Sequence, residues 1–338
     1  MKPLSSIAMS AYTDLVRLLR DDALSGIEGT PTRKTRGEKA YWYAARRIGT
    51  EMRFIYLGED NDETRTRIER IEELRATAKE RQAERARLVR LLRAEGMTPT
   101  DRATGSILSA MAAAGTFRLG GTVVGTNAFR LYEGELGIRL PLGGMANTGD
   151  IDIAQFERLS VALQDQVDPG LAETFSTLKF APVPGLDRGR TWRWAQGGSG
   201  QLVEFLTPAF GNESVRELPA LGVCAQALNY LNFLIAEPIF AAAIYRSGIL
   251  IQVPRPERFA VHKLIVADRR REGAGSLKSA KDREQAAYLI EVMAEDRPDD
   301  LARAYTAAMA VGPRWREHIV NSLDRMAYTK AVLKELVT

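Results

Sequence analysis

The residues of this chain best suited to chemistry are the acids of Gly149-Asp150-Ile151-Asp152-Ile153. Successive side chains of a strand alternate faces, so Asp150 and Asp152 project to one side, roughly 6.5 to 7 Å apart, while Ile151 and Ile153 turn to the core. Two carboxylates so placed can hold one or two divalent cations such as Mg²⁺, which take oxygen ligands and leave positions for phosphate and water. Glu204, in the otherwise apolar run Gln201-Leu202-Val203-Glu204-Phe205-Leu206, offers a third acid where an unpaired carboxylate is costly to bury. The plainer alternative puts Asp150 and Asp152 on a solvated edge and Glu204 in water. Upstream, Leu119-Gly120-Gly121-Thr122-Val123-Val124-Gly125-Thr126-Asn127 reads as a strand running into a helix, whose free N–H groups and dipole can receive phosphate. Gly125 permits close backbone approach and Thr126 adds a hydroxyl donor; the alternative for these glycines is tight strand-helix packing. Neither Gly-x-Gly-x-x-Gly nor Gly-Lys-Ser/Thr occurs, so a dinucleotide fingerprint and a P-loop are excluded.

These residues sit in a chain of 338 residues, long enough for two or three domains, with the 45% hydrophobic and 27% charged composition of a soluble globular protein. One Cys and two His exclude a disulfide framework and argue against a Cys/His zinc cluster. No signal-like segment is visible near the start, and the most apolar run, Leu231 to Val253, carries Glu237, Pro238 and Arg246, so a cytoplasmic protein is expected. The net charge is only +4, yet residues 33–95 carry net +5 and residues 254–283 another +5, leaving the remainder at net −6. Apolar residues Tyr41, Ala44, Ala45, Ile48, Met52 and Ile55 recur at helical spacing, as do Ile68, Ile71, Leu74, Ala78, Ala86 and Leu92, which predicts an antiparallel helical hairpin. Thr100 is the expected N-cap of an Ala-rich helix ending near Gly115. Strands are expected at Phe117 to Val124, Asp150 to Ala154, Thr177 to Val183, Thr191 to Gln196, Gln201 to Leu206, Ile235 to Ile239 and Ile249 to Val253, with helix from Pro256 onward. The fold class is therefore α+β, divided into a helical region 1–99, a catalytic core 100–218 and a mainly helical C-terminal region 219–338.

The order Val124-Gly-Thr-Asn-Ala-Phe129, Leu131-Tyr-Glu133, Ala146-Asn-Thr-Gly-Asp-Ile-Asp-Ile153 and Val203-Glu-Phe-Leu-Thr-Pro208 resembles the DNA polymerase β-like nucleotidyltransferase superfamily. More narrowly it is similar to bacterial nucleotidyltransferases related to abortive-infection toxins, over roughly Gly115 to Met293. The resemblance implies that Gly125 and Thr126 contact the triphosphate of an NTP such as ATP, although the long gap to Asp150 leaves Gly121-Thr122 open as the phosphate element. It implies that Asp150, Asp152 and Glu204 are catalytic and hold two Mg²⁺ ions, with Glu where many relatives have Asp. It further implies that Lys263 faces the triphosphate and that Lys281 or Asp282 closes the site. The expected reaction moves an NMP from an NTP to an acceptor hydroxyl on RNA such as tRNA, or on protein, with release of pyrophosphate, in a toxin-like role. RNA is placed ahead of protein because basic segments flank the core. A small-molecule adenylyltransferase and a non-catalytic helical interaction protein are the alternatives.

Other residues carry weaker signals. His262 lacks a partner at metal-ligand spacing and reads as a surface or satisfied histidine. Trp192 and Trp194 share a strand face suited to stacking or, more often, to core packing. Tyr41, Trp42, Tyr43, Arg46 and Arg47 mix aromatic and basic character and suit nucleic-acid contact. Cys224 reads as a buried apolar residue with nothing to activate its thiol.

Overall fold

The computed structural model describes residues 2–27, 29–48, 51–141, 149–163, 165–185, 189–198, 200–272 and 275–337. The expected loop from Pro141 to Gly149, and with it Ala146, Asn147 and Thr148, lies almost wholly outside them. So does Ser199 of the glycine-rich stretch Gly197-Gly198-Ser199-Gly200, which the sequence reads as the turn between the strands expected at Thr191 to Gln196 and Gln201 to Leu206.

Helix α1 (Ser6–Ser25) starts where Ser5 accepts the Ala8 N–H at 3.1 Å. It buries Leu15, Leu18 and Leu19 against α4 (Ala78–Ala94) and a later hairpin. Between them, β1 (Thr30–Arg36), β2 (Lys39–Ile48) and β3 (Glu51–Glu59) form an antiparallel sheet with β3 at one edge. The helix expected over residues 38–56 is thus two strands. Tyr41, Trp42, Tyr43, Phe54, Ile55 and Tyr56 are strand-forming types, and their two-residue period is masked because Tyr43 and Ala44, neighbours on opposite faces, are both buried. The second expected helix is three pieces, α2 (Asp62–Glu69), α3 (Ile71–Ala76) and α4, broken at Arg70 and Thr77. An N-terminal helical hairpin is therefore replaced by a sheet whose small core, Leu24, Ala44, Leu57 and Ile71, is covered by helices.

The rest is a mixed α+β unit. Helix α5 (Arg102–Ala114) is capped by Asp101, one residue beyond the expected Thr100, and ends at Gly115 in the left-handed conformation. Only Thr122–Val124 of the expected 117–124 strand forms a strand, β4, because the chain turns through Gly120 at φ +89° just before it. Helix α6 (Gly125–Leu136), β5 (Asp150–Ala154), α7 (Glu157–Ala162) and α8 (Leu171–Thr177) follow. Then come β6 (Phe180–Pro182), β7 (Arg193–Gln196), β8 (Leu202–Pro208), β9 (Val215–Leu218) and β10 (Val223–Leu228). The sheet runs β4-β5-β8-β10-β9, parallel between β5, β8 and β10, with β7 antiparallel on the first half of β8 and β6 beyond it. After the short α9 (Leu231–Leu234), β11 (Ile239–Ala243) and β12 (Ile249–Val253) make a separate hairpin, so the strand expected at 235–239 begins where it was expected to end. Helices α10 (Pro256–Arg269), α11 (Ser276–Asp296), α12 (Pro298–Ala310), α13 (Pro313–Leu323) and α14 (Ala327–Leu336) complete the chain, three of them opened by a proline at the first helical position.

The apolar faces of α5, α6, α10 and α11 meet the sheet in one large core that includes Phe129, Tyr132, Phe205 and Phe259. No helix among the described residues is long and apolar enough to cross a membrane, and the Leu231 to Val253 run is core.

Candidate active site

The alternation of β5 is as its residue types require: Ile151 and Ile153 are fully buried, while Asp150 and Asp152 point to the other, partly open side. Parallel pairing with β8 sets Asp152 level with Glu204, and antiparallel pairing with β7 sets Glu204 level with Arg193. Arg193 Nη1 lies 3.9 Å from Glu204 Oε1, and its guanidinium covers the Trp192 ring at 4.4 Å.

On the other flank β4 delivers the chain directly into α6. Gly125 opens that helix at φ +67°, and a Cβ there would collide with Asp152 Oδ2. Asn127 Nδ2 donates to the Asp150 carbonyl at 2.7 Å, which ties the first turn of α6 to the start of β5. The positive end of a twelve-residue helix is thereby held against the acids. Gly121 instead packs against Thr116, and Thr122 is buried at the opposite end of β4, so only Gly125-Thr126 borders the carboxylates. Gly125→Ala is expected to destabilise the fold by about 1–2 kcal/mol through the left-handed backbone alone. By displacing Asp152 it should also lower turnover by about 10²-fold, measurable as the ratio of melting shift to rate loss.

Helices α10 and α11 bring the cations. Lys263 is 7% exposed and Asp282 only 2%; their Nζ and Oδ1 are 2.5 Å apart, and Arg270 Nη1 reaches the other oxygen of Asp282 at 3.0 Å. Asp152 feels the positive charge of Lys263, Glu204 that of Lys278, and Lys281 the negative charge of Asp150. Burial pushes the Asp152 carboxyl up to about 7, and the charges of Glu204 and Asp150 add to the rise against Lys263. Burial likewise raises Glu204, helped by Asp150 and opposed by Arg193. Burial lowers Lys281, and Lys263 pushes the same way. The structure therefore brings Gly125, Asp150, Asp152, Glu204, Lys263, Lys281 and Asp282 to one end of the sheet. It adds Asn127, Arg193 and Lys278. Arg193 was legible only as the residue between two tryptophans; its place beside Glu204 is set by the pairing of β7 with β8.

The weaker candidates fall outside this site. Trp194 packs on Phe175 and Phe205 in the core, and Trp192 lies under Arg193 against the same core. Cys224 is half-buried rather than buried, because it takes the outer position of alternating β10, and burial raises its thiol further from activation. His262 is buried, not on the surface, and burial brings its imidazole down to about 3. Unfolded, it protonates near pH 6.5; folded, it stays neutral, so the unfolded state binds more protons between those values. Its contribution to stability is complete above pH 6.5 and is lost as pH falls toward 3. His262→Gln should show a shallower acid loss of melting temperature than the wild type.

Among the described residues, no three His, Cys, Asp or Glu side chains already converge on a metal position. The donor set is nevertheless hard oxygen of the kind Mg²⁺ takes, and the raised Asp152 shows an acid group short of positive charge. A family model described as nucleotidyltransferase matches residues 102–310, from α5 through α12, and the chain belongs to that nucleotidyltransferase family. It is accordingly an enzyme that transfers nucleotidyl groups. A second model, a domain of unknown function, matches residues 12–66. No curated protein and no solved structure matches the chain.

Proposed function

We propose that the chain transfers an NMP from an NTP to a hydroxyl of RNA, the bond between the α- and β-phosphates breaking and pyrophosphate leaving, and that its core is of the polymerase β-like kind. The observation that carries this reading is the level pairing of Asp152 with Glu204, beside Asp150 and against a helix start whose left-handed backbone favours glycine. Asp150, Asp152 and Glu204 would hold Mg²⁺, which supplies Lewis-acid stabilisation of phosphate charge. The N-terminus of α6 at Gly125 and Thr126 offers backbone N–H groups to the triphosphate. Lys263, fixed by Asp282, and Lys281 present ammonium groups to the same anion. Glu204, raised by burial and by Asp150, is the acid suited to accept the proton of the acceptor hydroxyl. The catalytic core at 100–218 and the closing region at 219–338 belong to the same reading, as does a toxin-like role.

The test is incubation of the protein with each α-labelled NTP, Mg²⁺ and a cell lysate. Label removed by RNase supports the reading. Label removed only by protease, or found on a small molecule, replaces the acceptor, and no label transfer with any NTP overturns the proposal.

A further inference from the structure

The N-terminal sheet has features that catalysis does not use. Seven Lys and Arg stand against three acids between Thr30 and Glu59. The register sets Arg36 opposite Lys39, a like-charged pair of positions that does not favour the sheet. One face gathers Lys34, Tyr41, Tyr43, Phe54 and Tyr56: Tyr56 lies 6.1 Å from Tyr41 and 5.7 Å from Tyr43, and the Lys34 ammonium sits 2.9 Å above the Phe54 ring centroid. Among the described residues Lys34 has no carboxylate partner, and Arg53 is largely exposed, with Asp168 no closer than 3.8 Å. On this face Tyr43 is buried and Tyr56 packs against the large core, while Lys34, Tyr41 and Phe54 stay partly exposed. Edge strand β3 walls a cavity of ≈ 1810 Å³ whose far side includes Phe117, Arg118 and Phe240. That volume exceeds the roughly 300–1,000 Å³ of small-molecule pockets.

We propose that this face and the edge of β3 beside it bind single-stranded RNA, with bases stacked on Tyr41 and phosphates held by Lys34 on this face and by Arg53, which alternation turns to the other side of β3, where it lines the cavity. The basic excess of the strands selects a polyanion, and aromatic rings interleaved with cations on a partly exposed sheet face select an unpaired strand over a duplex. The separate match of residues 12–66 to its own family model agrees with a module whose work is distinct from transfer. The choice of RNA rests on the acceptor reading above, but binding is measured without NTP or Mg²⁺, so either can fail alone.

The experiment is fluorescence anisotropy of labelled oligouridylate with the full-length protein across a salt series. Salt-sensitive binding is expected, with Tyr41→Ala weaker by about tenfold and Tyr41→Phe close to wild type. Arg53→Glu, at an exposed position, should weaken binding by about fivefold and flatten the salt slope. Circular dichroism checks that each variant folds, and if Tyr41→Ala does not, Arg53→Glu decides. Asp150→Ala should bind as the wild type does while losing transfer. No binding by the wild type, equal binding by Arg53→Glu, or preferential displacement by duplex or heparin would overturn the proposal.

Discussion

Asp152→Asn is expected to abolish nucleotidyl transfer, by at least about 10³-fold, and at the same time to raise the melting temperature. The two effects have opposite signs because one arrangement produces both. Asp152 is pressed by burial and by the neighbouring charges of Glu204 and Asp150, which is why its carboxyl titrates only at about 7. An unfolded aspartate ionises near pH 4, so as pH rises from there toward 7 the unfolded chain releases a proton that the folded one keeps, and stability falls. An amide carries no charge to repel. Melting in the presence of EDTA should show a gain of a few degrees at pH 8 that shrinks toward pH 4. Transfer from α-labelled NTP should be lost throughout. A variant that both melts lower and retains transfer would contradict the role given to this carboxylate.

Lys263→Met carries the largest expected loss of stability. Removing one partner of a buried ion pair costs about 3–5 kcal/mol, because the charge left behind is desolvated and unpaired. Arg270 still reaches the second oxygen of Asp282, which places this case at the lower end of that range. The double variant Lys263→Met/Asp282→Leu removes the stranded charge and should recover most of the melting temperature. If Lys263 served only to pair Asp282, transfer would return with it. We expect instead that the KM for NTP stays raised by at least about tenfold, since the recovered fold still lacks the ammonium facing the acids. Steady-state kinetics of the single and double variants distinguish the two.

Much of this site was legible because its logic is local. Alternation along Asp150 to Ile153 needs only the two-residue period of a strand, and Glu204 stood out as a lone acid in an apolar run. Gly125 was legible as a strand-to-helix turn. What was not legible is pairing. Nothing within β5 or β8 states that they lie side by side in parallel, or that Lys263 and Asp282 on successive helices meet at 2.5 Å. The choice between Gly121 and Gly125 likewise depended on which end of β4 faces the acids. The N-terminal sheet was misread for a different reason: its strands bury the neighbouring residues Tyr43 and Ala44, which lie on opposite faces, a pattern that fits a helix as well as a strand.

The rung that joins Asp152 to Glu204 bears on which changes of sequence length the enzyme can survive. Because the two acids hang from adjacent backbones rather than from a chosen rotamer, substitutions of neighbouring core residues leave their alignment intact. A single-residue insertion or deletion within Leu202 to Glu204 would instead shift the strand by one position, turning Glu204 inward and Val203 outward. Length variation should therefore be harmless in the glycine-rich turn before β8 only where the ladder can reset its phase, and ruinous within the strand itself.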